Sequence, residues 1–217
     1  MDLLLSLRAF LQGIEQLKRS EAMKTVAING TARTGLGKKA AGEIRRAELI
    51  PCVLYGGDEV VHFSTTLADL RSLVYTPEFK IAEVSVGGKK YSAIIKEVQF
   101  NPVNDSVVHA DFLRLIDGHP IKVELPVRFI GVSPGVKNGG KLIPQLRRVL
   151  VKTKPEQLVD ELKVDISGLD LGQSIRIRDI KLESGIEILM SPSVPVAMIE
   201  IPRALRSATT TADTPAV

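Results

Sequence analysis

The segment that most constrains the fold is Ile81-Ala-Glu-Val-Ser-Val86, the Gly87-Gly88 pair, and Lys90-Tyr-Ser-Ala-Ile-Ile95. Apolar and polar side chains largely alternate on both sides of a two-glycine step, which is the pattern of a half-buried β-hairpin. A helix of the same composition would spread its apolar residues around its whole circumference instead of collecting them on one face. The same reading predicts strands over 26–33, 50–55, 60–64 and 107–115, with Gly56-Gly57 ending the second of these. Helical spacing is confined to short pieces. One runs from 38 to about 47. Another spans 66–74, with Thr66 as N-cap and apolar residues at 67, 70, 73 and 74.

A turn cluster at Asp117-Gly118-His119-Pro120 interrupts this pattern and is the expected domain boundary. Beyond it Ile121, Val123, Leu125, Val127 and Phe129 alternate with Lys122, Glu124 and Arg128 as in a half-buried strand. A glycine-rich loop follows, with Gly131, Gly135, Gly139 and Gly140. Further strands are predicted over 142–153, 162–167, 174–179 and 194–201, with Pro155-Glu-Gln-Leu as a single helical turn. The chain of 217 residues is long enough for two domains of roughly 100 residues. With aromatics at 4% and no Trp, Val, Ile and Leu must supply both cores. The expected fold is mainly β with a few short helices. It divides into an N-terminal extension (1–22), a first β domain (23–116), an all-β C-terminal domain (117–204) and a tail (205–217).

The two ends are read from composition. Leu3, Leu4, Leu7, Phe10, Leu11, Ile14 and Leu17 recur at helical spacing, so 1–22 is either an amphipathic helix or lies upstream of a true start at Met23. It lacks the basic start and unbroken apolar stretch of a signal peptide. Residues 207–217 are low in complexity and expected to be disordered. No apolar run approaches 18 residues, so no membrane span is expected. The single cysteine, Cys52, sits in an apolar run and reads as a buried, inert thiol in a reducing cytoplasm.

Charge is concentrated in one place. Residues 24–46 hold Lys24, Arg33, Lys38, Lys39, Arg45 and Arg46 against one acid, Glu43, whereas 58–217 carry twenty bases and twenty acids. The formal net charge of +4 therefore originates in one short segment of an otherwise neutral chain. A focused basic patch of this kind is the electrostatic footprint of a protein that grips a phosphate backbone at one place.

Catalytic and cofactor motifs are not met. Gly35-Leu-Gly37-Lys38-Lys39 resembles a phosphate loop superficially, but the Walker pattern requires four residues before its Gly-Lys-Ser/Thr. A dinucleotide site requires a βαβ unit and an acid about 20 residues on, and the chain that follows is β-rich. His62, His109 and His119 are dispersed, and one cysteine gives no zinc spacing. His109 and Asp111 share a strand face, but no nucleophile accompanies them, so the pair reads as a histidine ordered by a neighbouring acid. No enzyme activity, cofactor or metal is expected. An enzyme using the Gly35–Lys39 loop is the weaker rival reading.

Ile28-Asn-Gly-Thr-Ala-Arg33, the glycine-containing basic loop, Ile44-Arg45-Arg46, Ile50-Pro-Cys-Val-Leu-Tyr55-Gly56-Gly57, Val98-Gln99-Phe-Asn-Pro102 and Val108-His109-Ala-Asp111-Phe112 follow one another in this order. Together they resemble the bacterial 5S rRNA-binding large-subunit ribosomal proteins in their long two-domain form, the general stress protein Ctc family. Gly135-Val-Lys-Asn-Gly-Gly140 and Val164-Asp-Ile-Ser-Gly-Leu-Asp-Leu-Gly-Gln-Ser-Ile175 resemble that family's C-terminal domain, so the likeness covers about 24–203.

The resemblance implies a small N-terminal β-barrel seated on 5S rRNA in the cytoplasmic ribosome. Arg33, Lys38, Arg45, Tyr55, Gln99, His109 and Asp111 are then expected at the RNA, with Lys39 and Arg46 as phosphate contacts from charge alone. A distorted RNA helix exposes base edges and 2′-hydroxyls that side chains on a sheet can read. Asp111, repelled by phosphate, fits only as an acceptor from a base amino group or as a support for His109. The family commonly carries Gly where Lys39 stands, a base at Gly42 or Glu43, and His where Asn101 stands. The C-terminal domain is expected to meet neighbouring ribosomal proteins, and a stress-linked interaction role for it is the alternative from another class.

Overall fold

A computed structural model describes residues 24–57, 59–182 and 185–202. The expected amphipathic segment 1–22 and the tail 205–217 lie outside the described residues. The chain divides into two compact units. The first comprises the described residues up to Ile121 together with Thr153–Asp160, and the second comprises Lys122–Lys152 and the described residues from Glu161 on.

The first unit runs β1 (Thr25–Ala32), α1 (Lys38–Arg46), β2 (Leu49–Tyr55), β3 (Val61–Thr66), α2 (Leu67–Val74), β4 (Ile81–Val86), β5 (Lys89–Phe100) and β6 (Val107–Arg114). Six strands close into a barrel in the order β1-β3-β2-β6-β5-β4, with β4 returning parallel to β1 from Thr25↔Ile81 to Gly30↔Val86. Closure leaves no open sheet edge to recruit another chain. The expected hairpin is β4–β5, pairing Val86 with Lys89 and Ala82 with Ala93. Its turn holds Gly87 and Gly88 at φ 58° and 79°. Positive φ at both central residues matches the right-handed twist of the strands and favours glycine strongly.

Alternation directs Ile28, Phe63, Val84 and Phe112 into the barrel, where all four are completely buried. The Phe63 and Phe112 rings meet at 5.7 Å between centroids and tilted by 45°, within the range that favours aromatic pairs. Gly30 leaves the room this pair needs, because a Cβ there would stand 2.6 Å from the Phe63 ring and 2.8 Å from Val86. Thr66 caps α2 as expected, its Oγ1 accepting from the Asp69 N–H.

The second unit contains β7 (Ile121–Ile130), α3 (Pro134–Lys137), β8 (Lys141–Pro144), β9 (Arg148–Thr153), β10 (Leu162–Asp165), β11 (Ser174–Arg176), β12 (Glu187–Ile188) and β13 (Pro195–Glu200). They form two sheets, β10-β7-β9-β12 and β11-β13-β8. Three expectations change here. The stretch 142–153 is two strands in different sheets: β8 ends at Pro144 in the sheet β11-β13-β8, and β9 begins at Arg148 in the sheet β10-β7-β9-β12. The strand expected over 174–179 stops at Arg176 and continues as a 3-10 turn, Ile177–Asp179. The glycine-rich loop contains a one-turn helix, capped by Ser133, whose Oγ accepts from the Val136 N–H. Gly135 and Gly140 let that turn sit against 170–171, since a Cβ on either would fall within 2.9 Å of Leu171. The single helical turn at Pro155–Gln157, in the stretch that belongs to the first unit, is 3-10.

Candidate nucleic-acid interface

On β6, Ala110 and Phe112 point inward and are fully buried, so His109 and Asp111 face out, each half-buried. Residues opposite one another on adjacent strands present the same face, so the barrel register specifies what joins this pair. Asp111 stands opposite Glu97 on β5 and opposite Val53 on β2, while His109 stands opposite Gln99. Val53 is in turn opposite His62 on β3, and the Arg33 N–H donates to the His62 carbonyl at 3.0 Å. Arg33, His62, Val53, Asp111 and Glu97 therefore make one row across the outside of four neighbouring strands and the end of β1. Gln99 and His109 lie in the next row.

Helix α1 packs on β2. It turns its half-buried Ala40, Ala41 and Ile44 towards the barrel and leaves Lys38, Lys39, Arg45 and Arg46 exposed. The helix starts at Gly37, φ 98°, with no side-chain cap and no acid in its first turn, while Arg45 and Arg46 occupy its last. Arg45 Nε donates to the Val108 carbonyl at 3.2 Å, which joins the basic helix to the strand bearing His109. Tyr55 is the last residue of β2. Burial, then Asp111 and Glu97, push its hydroxyl above the ordinary phenol range.

The row is polar but incompletely paired. His109 Nδ1 and Asp111 Oδ1 are 2.6 Å apart, an ion-pair distance, yet that oxygen receives no hydrogen bond of good geometry. Arg33 Nε and His62 Nδ1 are also inaccessible and unbonded. His62 was not among the residues expected at the RNA. Its period-two offset from the buried Phe63 marks it as outward-facing, but only the register shows that it stands beside Arg33. Asn101 builds the loop after β5, its Oδ1 accepting from the Val103 N–H at 3.0 Å.

The nucleotide-loop alternative lacks its scaffold. Although β1, the Gly-Lys loop, α1 and β2 follow one another, β3 lies between β1 and β2 and pairs antiparallel with both. The parallel βαβ unit of a dinucleotide fold is not formed. Among the described residues no group of three or more His, Cys, Asp or Glu could hold a metal ion, and no helix is long and apolar enough to cross a membrane.

Fold and surface together define a barrel protein with a second, sheet-rich unit and a polar outer face edged by a basic helix. The model of the Ribosomal L25p family matches residues 28–112, and that of the Ribosomal protein TL5, C-terminal domain, matches 120–203. The sequence is 42% identical to "Large ribosomal subunit protein bL25" of Amoebophilus asiaticus, with 85% of this chain and 94% of the relative aligned. Proteins of the same name from Bacteroides thetaiotaomicron and Cytophaga hutchinsonii are 39% and 40% identical, over 86% and 85% of this chain and 97% and 95% of theirs. The chain belongs to the Ribosomal L25p family, in its long two-domain form.

Proposed function

We propose that this chain is a structural constituent of the large subunit of the cytoplasmic ribosome and holds 5S rRNA on the outer face of its barrel. The observation that carries the reading is the Arg45–Val108 bond, which makes α1 and the β6 face one continuous surface. On it, Lys38, Lys39, Arg45 and Arg46 serve as phosphate grips, fixing register on the backbone. Arg33, Tyr55, Gln99, His109 and Asp111 offer donors and acceptors suited to base edges and 2′-hydroxyls in a distorted RNA helix. The second unit exposes Ile130, Val132 and Val136, and we assign to that unit the contacts with neighbouring ribosomal proteins.

Titration of the full chain with 5S rRNA at several salt concentrations tests the reading. Nanomolar affinity falling steeply with salt is expected, with far weaker binding to an unrelated RNA duplex. Equal affinity for both RNAs would overturn it. Saturable stabilisation by ATP or NAD, with no RNA binding, would instead favour a nucleotide-using enzyme.

A further inference from the structure

His62 is not among the positions that the family likeness assigns to RNA, yet the barrel register seats it between two that are. It stands directly opposite Val53, with Asp111 on the far side of that residue, while the Arg33 N–H donates to its carbonyl. Its strand neighbour Phe63 takes the core side and is fully buried, so the imidazole lies on the outer face. The ring is half-buried, and its Nδ1 has neither solvent access nor a hydrogen-bond partner. Buried polar atoms in folded chains are nearly always paired, because leaving one unpaired forfeits its hydration without return. Here Arg33 Nε on the adjacent strand end is in the same condition, whereas Asp111 Oδ1 lies 2.6 Å from His109 Nδ1. Two unpaired polar atoms side by side in one row of a closed barrel, His62 Nδ1 and Arg33 Nε, favour a row that meets an external polar partner.

We propose that His62 is a further RNA-contacting residue of this chain, reading a base edge or a 2′-hydroxyl in the groove and not a phosphate. The proposal rests on the 5S rRNA reading above. The row's charge selects the groove: its far end carries the carboxylates of Asp111 and Glu97, which repel phosphate but accept from amino and hydroxyl groups. A neutral imidazole offers one donor and one acceptor, which suits the same partners. Its χ2 torsion is broad and roughly two-fold, so rotating the ring turns Nδ1 outward without moving β3.

The test compares the full-length chain with His62→Ala and His62→Asn, the latter keeping a polar atom near the position of Nδ1. Measured quantities are the melting temperature, the 5S rRNA dissociation constant at several salt concentrations, and affinity for an unrelated RNA duplex. The expected result for His62→Ala is an unchanged melting temperature and affinity for 5S rRNA lower by roughly 5- to 150-fold, the range of one lost groove contact. Its salt slope and its affinity for the unrelated duplex stay as in the parent, and His62→Asn recovers most of the loss. Parental affinity in His62→Ala overturns the proposal while leaving the 5S rRNA reading intact. So does lost stability with normal binding by the folded fraction, or a salt slope reduced as if a phosphate contact had gone. Failure of the parent chain itself to prefer 5S rRNA overturns the broader reading first, and this proposal with it.

Discussion

The guanidinium Nε of Arg45 and the carbonyl oxygen of Val108 lie 3.2 Å apart although they are 63 positions apart in the chain. This bond fixes one basic side chain of α1 beside the strand that presents His109 and Asp111. Arg45→Ala should lower 5S rRNA affinity and reduce the slope of log K against log salt by roughly 0.7–0.9, one phosphate contact's worth. Lys38→Ala, which removes no side-chain bond among the described residues, should give the same slope change with no loss of thermal stability. Unchanged slopes in both would place these side chains away from RNA.

His109→Ala should damage recognition and leave folding largely intact. The ring contributes an exposed-face contact to Asp111 at 2.6 Å and nothing to the core. The stability change should stay within about 0.5 kcal/mol, as for ordinary surface substitutions. Binding should weaken by roughly 1–3 kcal/mol, by analogy with a lost base contact in DNA complexes. Thermal melts and RNA titrations on the same sample separate the two effects.

Inside the barrel the order of effects reverses. Phe112 is fully buried against Phe63, so Phe112→Ala should cost about 3–5 kcal/mol through lost transfer energy and a residual cavity. Gly30→Ala forces a methyl into 2.6 Å of the Phe63 ring. Overpacking of this kind should cost roughly 1–3 kcal/mol. Denaturant unfolding of the two variants reads both numbers.

Glu48 sits just past the C-cap of α1 with φ 58°, a left-handed conformation disfavoured for side chains with a Cβ. Glycine is the common residue at this position after a helix. Glu48→Gly should therefore stabilise the first unit by about 0.5–1 kcal/mol, less whatever the added freedom of the unfolded chain takes back. A lowered melting temperature would show that the carboxylate makes a compensating contribution.

Burial pushes the Cys52 thiol from 9.0 up to about 12; the backbone at Ala110 and the charge of Arg33 oppose the rise, and Asp111 adds to it. The folded chain keeps this proton over a pH range in which the unfolded chain has lost it. The associated stability is therefore complete below pH 9 and is lost as pH rises towards 12. A thiol reagent at pH 8 should label native protein only as fast as it opens, and denatured protein within the mixing time. Cys52→Ser should flatten the alkaline decline in stability.

Much of the local structure was legible in the sequence. The Gly87-Gly88 hairpin, the Thr66 cap, the outward pairing of His109 with Asp111 and the basic stretch around α1 each depend on residues a few positions apart, where alternation, capping and charge act directly. The division of 142–153 between two sheets was not, because alternation is identical whichever sheet a strand joins. Nor was the row of Arg33, His62, Val53, Asp111 and Glu97. Its members come from four strands and a strand end, and only hydrogen-bonded register decides which residues on different strands become neighbours. A slip of one residue in any strand would turn its members of the row into the core. The sequence by itself determined which side chains face out. Barrel closure, a cooperative outcome of packing around Phe63 and Phe112, decided which of them meet.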